Sequence, residues 1–318
     1  MAVYRPRQAE GALRELLAWY PVVAITGPRQ SGKTTLARHV SDKPYVNLEA
    51  PDQREYASGD PRGFLARFPD GAVLDEIQHV PALFSYLQTI VDEGARAGSF
   101  ILTGSQQFGL RDGIAQSLAG RVGLIELLPF SLGEMPAADL ALNDVLCRGA
   151  YPRVVADGIP PGVWLADYVN TYLERDVRRL LNVRNLSSFQ RFLRMCAGRS
   201  GQLLNLSALA ADCGITHNTA REWLSVLEAS YVVRLLPPYY RNFGKRLVKT
   251  PKLYFLDTGL AAWLMAVSGP QALAVSMFRG PLFETLVVTE ILKACLNRRR
   301  EGKLYYWRDS NGHERGRQ

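Results

Sequence analysis

Residues 27–34 read Gly-Pro-Arg-Gln-Ser-Gly-Lys-Thr, and they constrain the fold more than any other stretch of the chain. They match the pattern GxxxxGK[ST], with the apolar run Val22–Thr26 before them and a helical stretch from Lys33 to about Val40 after them. Gly27 and Gly32 let the backbone curl so that its N–H groups converge, and the helix N-terminus adds partial positive charge. Such a loop cradles phosphate. Lys33 supplies an ammonium to the β- and γ-phosphates, and Thr34 offers a hydroxyl to Mg²⁺. Pro28, Arg29, Gln30, Ser31 and Thr35 complete the candidate cradle. The expected ligands are therefore ATP and Mg²⁺.

The surrounding pattern is α/β. Short β-branched runs at Val22–Thr26, Tyr45–Leu48, Ala72–Leu74, Phe100–Thr103 and Gly123–Leu127 alternate with helical stretches, as in a parallel sheet. A second helix is expected from Pro81 to about Glu93, and loop with short helix over Pro51–Asp70. The strand at 72–74 runs into Asp75 and Glu76. Some forty residues after a phosphate loop, Asp75 is expected to hold Mg²⁺ and Glu76 to orient an attacking water. Thr103 and Ser105 end another strand, where either a γ-phosphate sensor or an ordinary strand-ending turn fits. Arg121, after Gly120, is either an arginine that stabilises the transferring phosphoryl group or a surface arginine.

Charge divides the chain. Residues 1–150 hold 14 Lys and Arg against 17 Asp and Glu, a net −3, whereas 151–318 hold 24 against 13, a net +11. A basic second half fits a module that faces a polyanion, and equally a self-solvating surface. Trp164–Leu181 reads as one amphipathic helix. Leu206–Trp263 reads as a winged helix-turn-helix: a short helix, a turn at Cys213-Gly214-Ile215, and a second helix capped by Thr216 and burying Ala220, Trp223, Leu224 and Leu227. Two strand-like runs follow, Tyr231–Leu236 and Leu253–Leu256. His217, Asn218, Arg221 and Glu222 are expected to face outward. Arg241, Lys245, Arg246 and Lys249 lie in the loop between the strands, interleaved with Tyr239, Tyr240 and Phe243. Asn218, Arg221 and the four loop cations are the candidate contacts to double-stranded DNA; a structural lid is the competing reading.

Other classes are disfavoured. No run approaches the ~18 apolar residues of a membrane span. The N-terminus turns charged at once, so no secretory signal is expected. Cys147, Cys196, Cys213 and Cys295 are scattered and form no metal-ligand spacing with the four histidines, which fits free thiols in the cytoplasm.

Taken in order, GPRQSGKTTL, GAVLDEIQ, ILTGS, SLAGR with LPFSLGE, GAYP at 149–152, YLERDV at 172–177, LYFLDTGL at 253–260 and GPLFE at 280–284 resemble the prokaryotic AAA-type ATPases that bear a C-terminal domain of unknown function. The resemblance spans nearly the whole chain. It implies a parallel sheet of order 5-1-4-3-2 in an ATPase domain over 1–145. It further implies a helical lid or linker over 146–205, a winged helix-turn-helix over 206–268 and a truncated, restriction-endonuclease-like segment over 269–318. Nuclease sites of that fold place an acid after a segment like YYWRDSNGHE, but here Arg315-Gly316-Arg317-Gln318 follow, so no active nuclease is expected. The function implied is Mg²⁺-dependent ATP hydrolysis with a basic module that contacts DNA. The alternative is a nucleotide switch that controls assembly with a protein partner, with the winged helix as scaffold; the oligomeric state is open.

Overall fold

The computed structural model describes residues 4–105, 107–139, 141–173, 186–239, 250–300, 304–308 and 314–317. The chain divides after Pro129 into two units, with Cys295–Arg300 belonging to the first.

The first unit opens with helix α1 (Glu10–Trp19), strand β1 (Val22–Thr26) and helix α2 (Lys33–Val40). Strand β2 (Tyr45–Asn47), helices α3 (Pro51–Gly59) and α4 (Pro61–Ala66) and strand β3 (Ala72–Asp75) follow, then α5 (Ala82–Asp92), β4 (Phe100–Gly104), α6 (Gln107–Ser117) and β5 (Val122–Glu126). All strand pairs are parallel, in the order β2-β3-β4-β1-β5. Read from the other side, this is the expected 5-1-4-3-2. Strand bounds agree with the sequence reading to within a residue.

The alternation of side chains explains the layers. Val22, Ala24, Leu74 and Leu102 face one side and pack with Leu83, Phe84 and Leu87 of α5. Val23, Ile25, Val73 and Ile101 face the other and pack with Leu13 and Leu16 of α1 and Leu36 of α2. Both faces are covered, as a parallel sheet requires. Each buried Val, Leu, Ile or Phe side chain among them contributes roughly 1.5–3 kcal/mol. Because every strand runs the same way, their C-terminal ends gather at one edge, where the loops after β1, β3 and β4 meet.

In the second unit one core runs from Phe130 to Leu286. It takes in the helices Leu142–Arg148, Leu186–Ala197, Leu206–Cys213 and His217–Ala229. Strands β6 (Gln202–Leu203), β7 (Val233–Leu236) and β8 (Lys252–Phe255) form an antiparallel sheet of order β6-β8-β7. The Thr216 hydroxyl caps its helix by accepting from Thr219 N at 3.1 Å. Gly214, at φ 68, makes the turn before it. Trp223 is buried between Phe189 and Phe192 at ring separations of 5.4 and 5.5 Å. The amphipathic stretch that reads as one helix from Trp164 differs. It is α-helical over Pro161–Asp167 and widens to a π-helix over Tyr168–Leu173. The remainder, 174–181, lies outside the described residues, as does 240–249 with Tyr240, Arg241, Phe243, Lys245, Arg246 and Lys249. A long helix, Arg279–Asn297, leads to an antiparallel hairpin of β9 (Tyr305–Arg308) and β10 (Glu314–Arg317).

The sequence motifs of this unit converge on one another. Asp257, from LYFLDTGL, accepts from Ala150 N at 2.7 Å and from Leu260 N at 2.8 Å, so it caps one helix and fastens GAYP to it. Gly259 leaves no room for a side chain, since a Cβ there would sit 2.5 Å from the carbonyl of Arg148. Burial raises the Asp257 carboxyl above its usual range, against the two amides and the charge of Lys293. Lys293 donates to Phe130 O and Glu290, both at 2.8 Å, while Glu290 accepts from Leu132 N at 2.8 Å.

Candidate nucleotide site

The loop after β1 is built to curl. Gly27 has φ 146, Gln30 φ 62 and Gly32 φ 92. A Cβ on Gly27 would lie 2.1 Å from Leu127 O, so only glycine fits between the loop and the end of β5. Lys33 opens α2 and is buried; its Nζ donates to Gly27 O at 3.1 Å and Pro28 O at 2.7 Å. Burial pushes the ammonium down to about 8. The carboxylates of Glu76 and Asp75 oppose that shift, while Arg29 adds to it. Ser31 and Pro28 are buried, and Thr35 is exposed on the first turn of α2. Arg29 pairs with Glu49 at 3.7 Å, and Glu49 faces His79 at 4.0 Å.

Asp75, at the end of β3, is the hub. Thr34 Oγ1 donates to both its carboxylate oxygens, at 3.0 and 3.1 Å. Tyr45 OH, from β2, reaches Oδ2 at 2.7 Å, and the Thr103 hydroxyl reaches Oδ1. The strand order explains this meeting, since β4 runs between β1 and β3 and brings Thr103 between the loop and Asp75. Glu76 follows in the left-handed region at φ 54, which turns its carboxylate toward the end of β4. There it accepts from Ser105 Oγ at 3.1 Å and from the Gln78 amide.

The donor set is hard oxygen: one buried carboxylate and one hydroxyl beside a phosphate cradle. That suits Mg²⁺, which takes few protein ligands and completes its shell with phosphate and water. Among the described residues no group of three or more His, Cys, Asp or Glu could hold a metal ion.

Arg121 stands apart from this constellation. It precedes β5, whose first residue Val122 pairs with Val22 at the start of β1, so it lies at the edge of the sheet opposite the loop. Five residues of strand separate the two edges by roughly 16 Å. Arg121 instead grips Asp92, Nε to Oδ1 at 2.6 Å and Nη2 to Oδ2 at 3.3 Å.

Sequence reasoning missed Tyr45, Gln78 and Arg7. The Arg7 guanidinium is buried and donates to Ser31 O at 2.8 Å and Leu128 O at 2.7 Å. No motif marks Tyr45 or Arg7, because pairing across the sheet or over long chain separations brings them to the site. Gln78 closes the GAVLDEIQ stretch, two residues after Glu76, but its type alone assigns it no contact there.

Fold and loop geometry together define an AAA-type P-loop domain, and the comparisons agree. Residues 20–136 match the family model described as AAA domain, and 139–271 match a domain of unknown function, DUF8612. Two mycobacterial proteins, Uncharacterized protein Mb2031c of Mycobacterium bovis and Uncharacterized protein Rv2008c of Mycobacterium tuberculosis, are 34% identical over 314 residues, covering 95% of this chain and 68% of theirs. The chain belongs to their family. The Walker-type ATPase PABY2304 of Pyrococcus abyssi shares the fold, with a TM-score of 0.54 at 16% identity over 82% of this chain and 96% of that one. Among the described residues no helix is long and apolar enough to cross a membrane.

Proposed function

We propose that the first unit binds ATP with Mg²⁺ in the 27–34 loop and hydrolyses it. The loop amides and Lys33 take the β- and γ-phosphates, while Thr34 and Asp75 hold the metal. Glu76 orients the attacking water, with Thr103 and Ser105 set to sense the γ-phosphate. When bound, Mg²⁺ neutralises charge on the transferring phosphoryl group. The observation that carries this reading is the Thr34–Asp75 contact at 3.0 and 3.1 Å, which joins the phosphate loop to the strand-end carboxylate beside a buried lysine. Arg121 is assigned no role at its own loop; any action on phosphate falls on a neighbouring copy. The test is a pair of variants. Lys33→Ala should lose ATP binding, and Glu76→Gln should keep ATP but slow turnover at least about a hundredfold. Parental turnover in Glu76→Gln removes Glu76 from the chemistry.

A second activity is DNA contact by the basic unit, read as a winged helix-turn-helix. The helix His217–Ala229 supports it by exposing His217, Asn218, Arg221 and Glu222 while burying Ala220, Trp223, Leu224 and Leu227. A gel shift with duplex DNA at two salt concentrations decides, because phosphate contacts weaken steeply with salt. Reversing Lys245 and Arg246 to Glu should weaken binding to all sequences alike. If the parent shifts no DNA at low salt, with or without ATP, the nucleotide switch acting on a protein partner takes its place.

A further inference from the structure

Arg7 lies far from the phosphate loop in sequence, 24 residues before Ser31 and 121 before Leu128, yet its guanidinium spans both. Nη1 donates to Ser31 O at 2.8 Å and Nη2 to Leu128 O at 2.7 Å. The residue is only 6% exposed, so these charge-assisted bonds form with little competition from water. Its own position is fixed from two sides. Arg7 N donates to Glu10 Oε1 at 3.1 Å, and the same oxygen accepts from Tyr4 OH at 2.5 Å. The Tyr4 ring stacks on His39 near the end of α2, centroid to centroid 3.7 Å. The segment 4–10 is thus pinned to the helix that follows the loop as well as to the loop itself.

A peptide bond is planar, and those of the described residues are trans, so a carbonyl fixed on one side sets the N–H of the next residue on the other. Holding Ser31 O toward Arg7 turns Gly32 N–H away from Arg7. Gly32 has no side chain to hold that plane and sits at φ 92, where many backbone settings are open to it. The second bond, to Leu128 O, anchors the stretch whose neighbour Leu127 O presses on Gly27 at the loop's other end.

We propose that Arg7 is a positioning residue for phosphate binding: its fork fixes the peptide 31–32 and the 127–128 backbone together, so that Gly32 N–H is aimed into the phosphate cradle before ligand arrives. The inference rests on the nucleotide-binding reading above. Because the aim concerns the β-phosphate end of a nucleotide, the effect of losing it separates ligands by their phosphates.

Calorimetric titration of the full chain with Mg-ADP and with AMP tests this, alongside the shift of the Gly32 amide proton on adding ADP. Arg7→Ala should weaken ADP binding by about ten- to a hundredfold, the range for loss of one or two charge-assisted bonds, with AMP binding unchanged and the Gly32 shift reduced. Arg7→Lys, which keeps the charge but lacks the fork, should fall between parent and Arg7→Ala. Equal losses for ADP and AMP, together with a lower melting temperature, make Arg7 a fold-holding residue and overturn the proposal. Full ADP affinity in Arg7→Lys overturns the two-carbonyl clamp. A parent chain that binds no ADP removes the nucleotide reading itself, and the proposal with it.

Discussion

Two buried aspartates, one in each unit, show how differently the chain uses the same side chain. In the second unit Asp257 is held by backbone amides of Ala150 and Leu260, donors that cannot turn. In the first unit Asp75 is held by the hydroxyls of Thr34, Tyr45 and Thr103. A hydroxyl carries a donor and two lone pairs and rotates to suit its partner. Fixed donors make a brace. Rotatable donors suit the cation site proposed above, where Thr34 would exchange its donated proton for a lone pair toward Mg²⁺. The motifs of the second unit close on each other through backbone donors, whereas those of the first meet through side chains that can turn.

The largest expected effect falls on the glycine of the brace. Gly259→Ala forces a Cβ to 2.5 Å from backbone atoms of Arg148, so the helix must move. We expect a loss of about 3 kcal/mol or more, read by denaturant unfolding of the full chain, with nucleotide affinity intact. Parental stability in this variant would mean that the brace is slack.

A matched pair of substitutions sharpens the same contrast. Asp257→Asn leaves one carbonyl oxygen for two amides and turns an NH₂ toward a donor, at a cost of about 2 kcal/mol. Asp75→Asn meets hydroxyls that can reverse their bonds, so its stability should stay within about 1 kcal/mol while Mg²⁺-dependent ATP binding is lost. Equal stability losses in the two variants would erase the distinction between brace and site.

The smallest effect concerns pH. Lys33 titrates near 8 in the folded chain, below its ordinary 10.5, chiefly through burial. Between those values the unfolded chain holds the extra proton, so the stability of the first unit should rise as pH rises through the window. Affinity for ADP should fall over the same range, as the neutral amine gives up its pairing with phosphate. Unfolding midpoints and ADP titrations at about pH 7.5 and 9.5, on either side of the folded value near 8, should therefore move in opposite directions.

The sequence disclosed what is local and hid what is not. The phosphate loop, its flanking strand and helix, and the Asp75–Glu76 pair are contiguous, so their chemistry is written in spacing. Thr216 as a cap and Trp223 as core were legible for the same reason. Tyr45 was not, because its approach to Asp75 depends on the register that pairs Tyr45 with Val73 and Asn47 with Asp75. The π-helix at Tyr168–Leu173 escaped because a 3.6-residue period cannot register an inserted residue. Arg121 was read from its Gly-Arg neighbourhood alone, and the direction of β5 carries it to the far edge. The motifs GAYP and LYFLDTGL were visible as words, but not that one carboxylate binds them together.

One residue sets chemistry and folding against each other. Glu76 keeps a left-handed backbone at φ 54, a conformation that costs a side-chain-bearing residue of order 1 kcal/mol and glycine almost nothing. A stabilisation campaign guided by backbone geometry alone would write glycine at position 76 and be rewarded with a hardier protein. It would also erase the carboxylate that faces Ser105 and Gln78. With the proposed water-orienting role, backbone stability and turnover thus make opposite demands on a single codon.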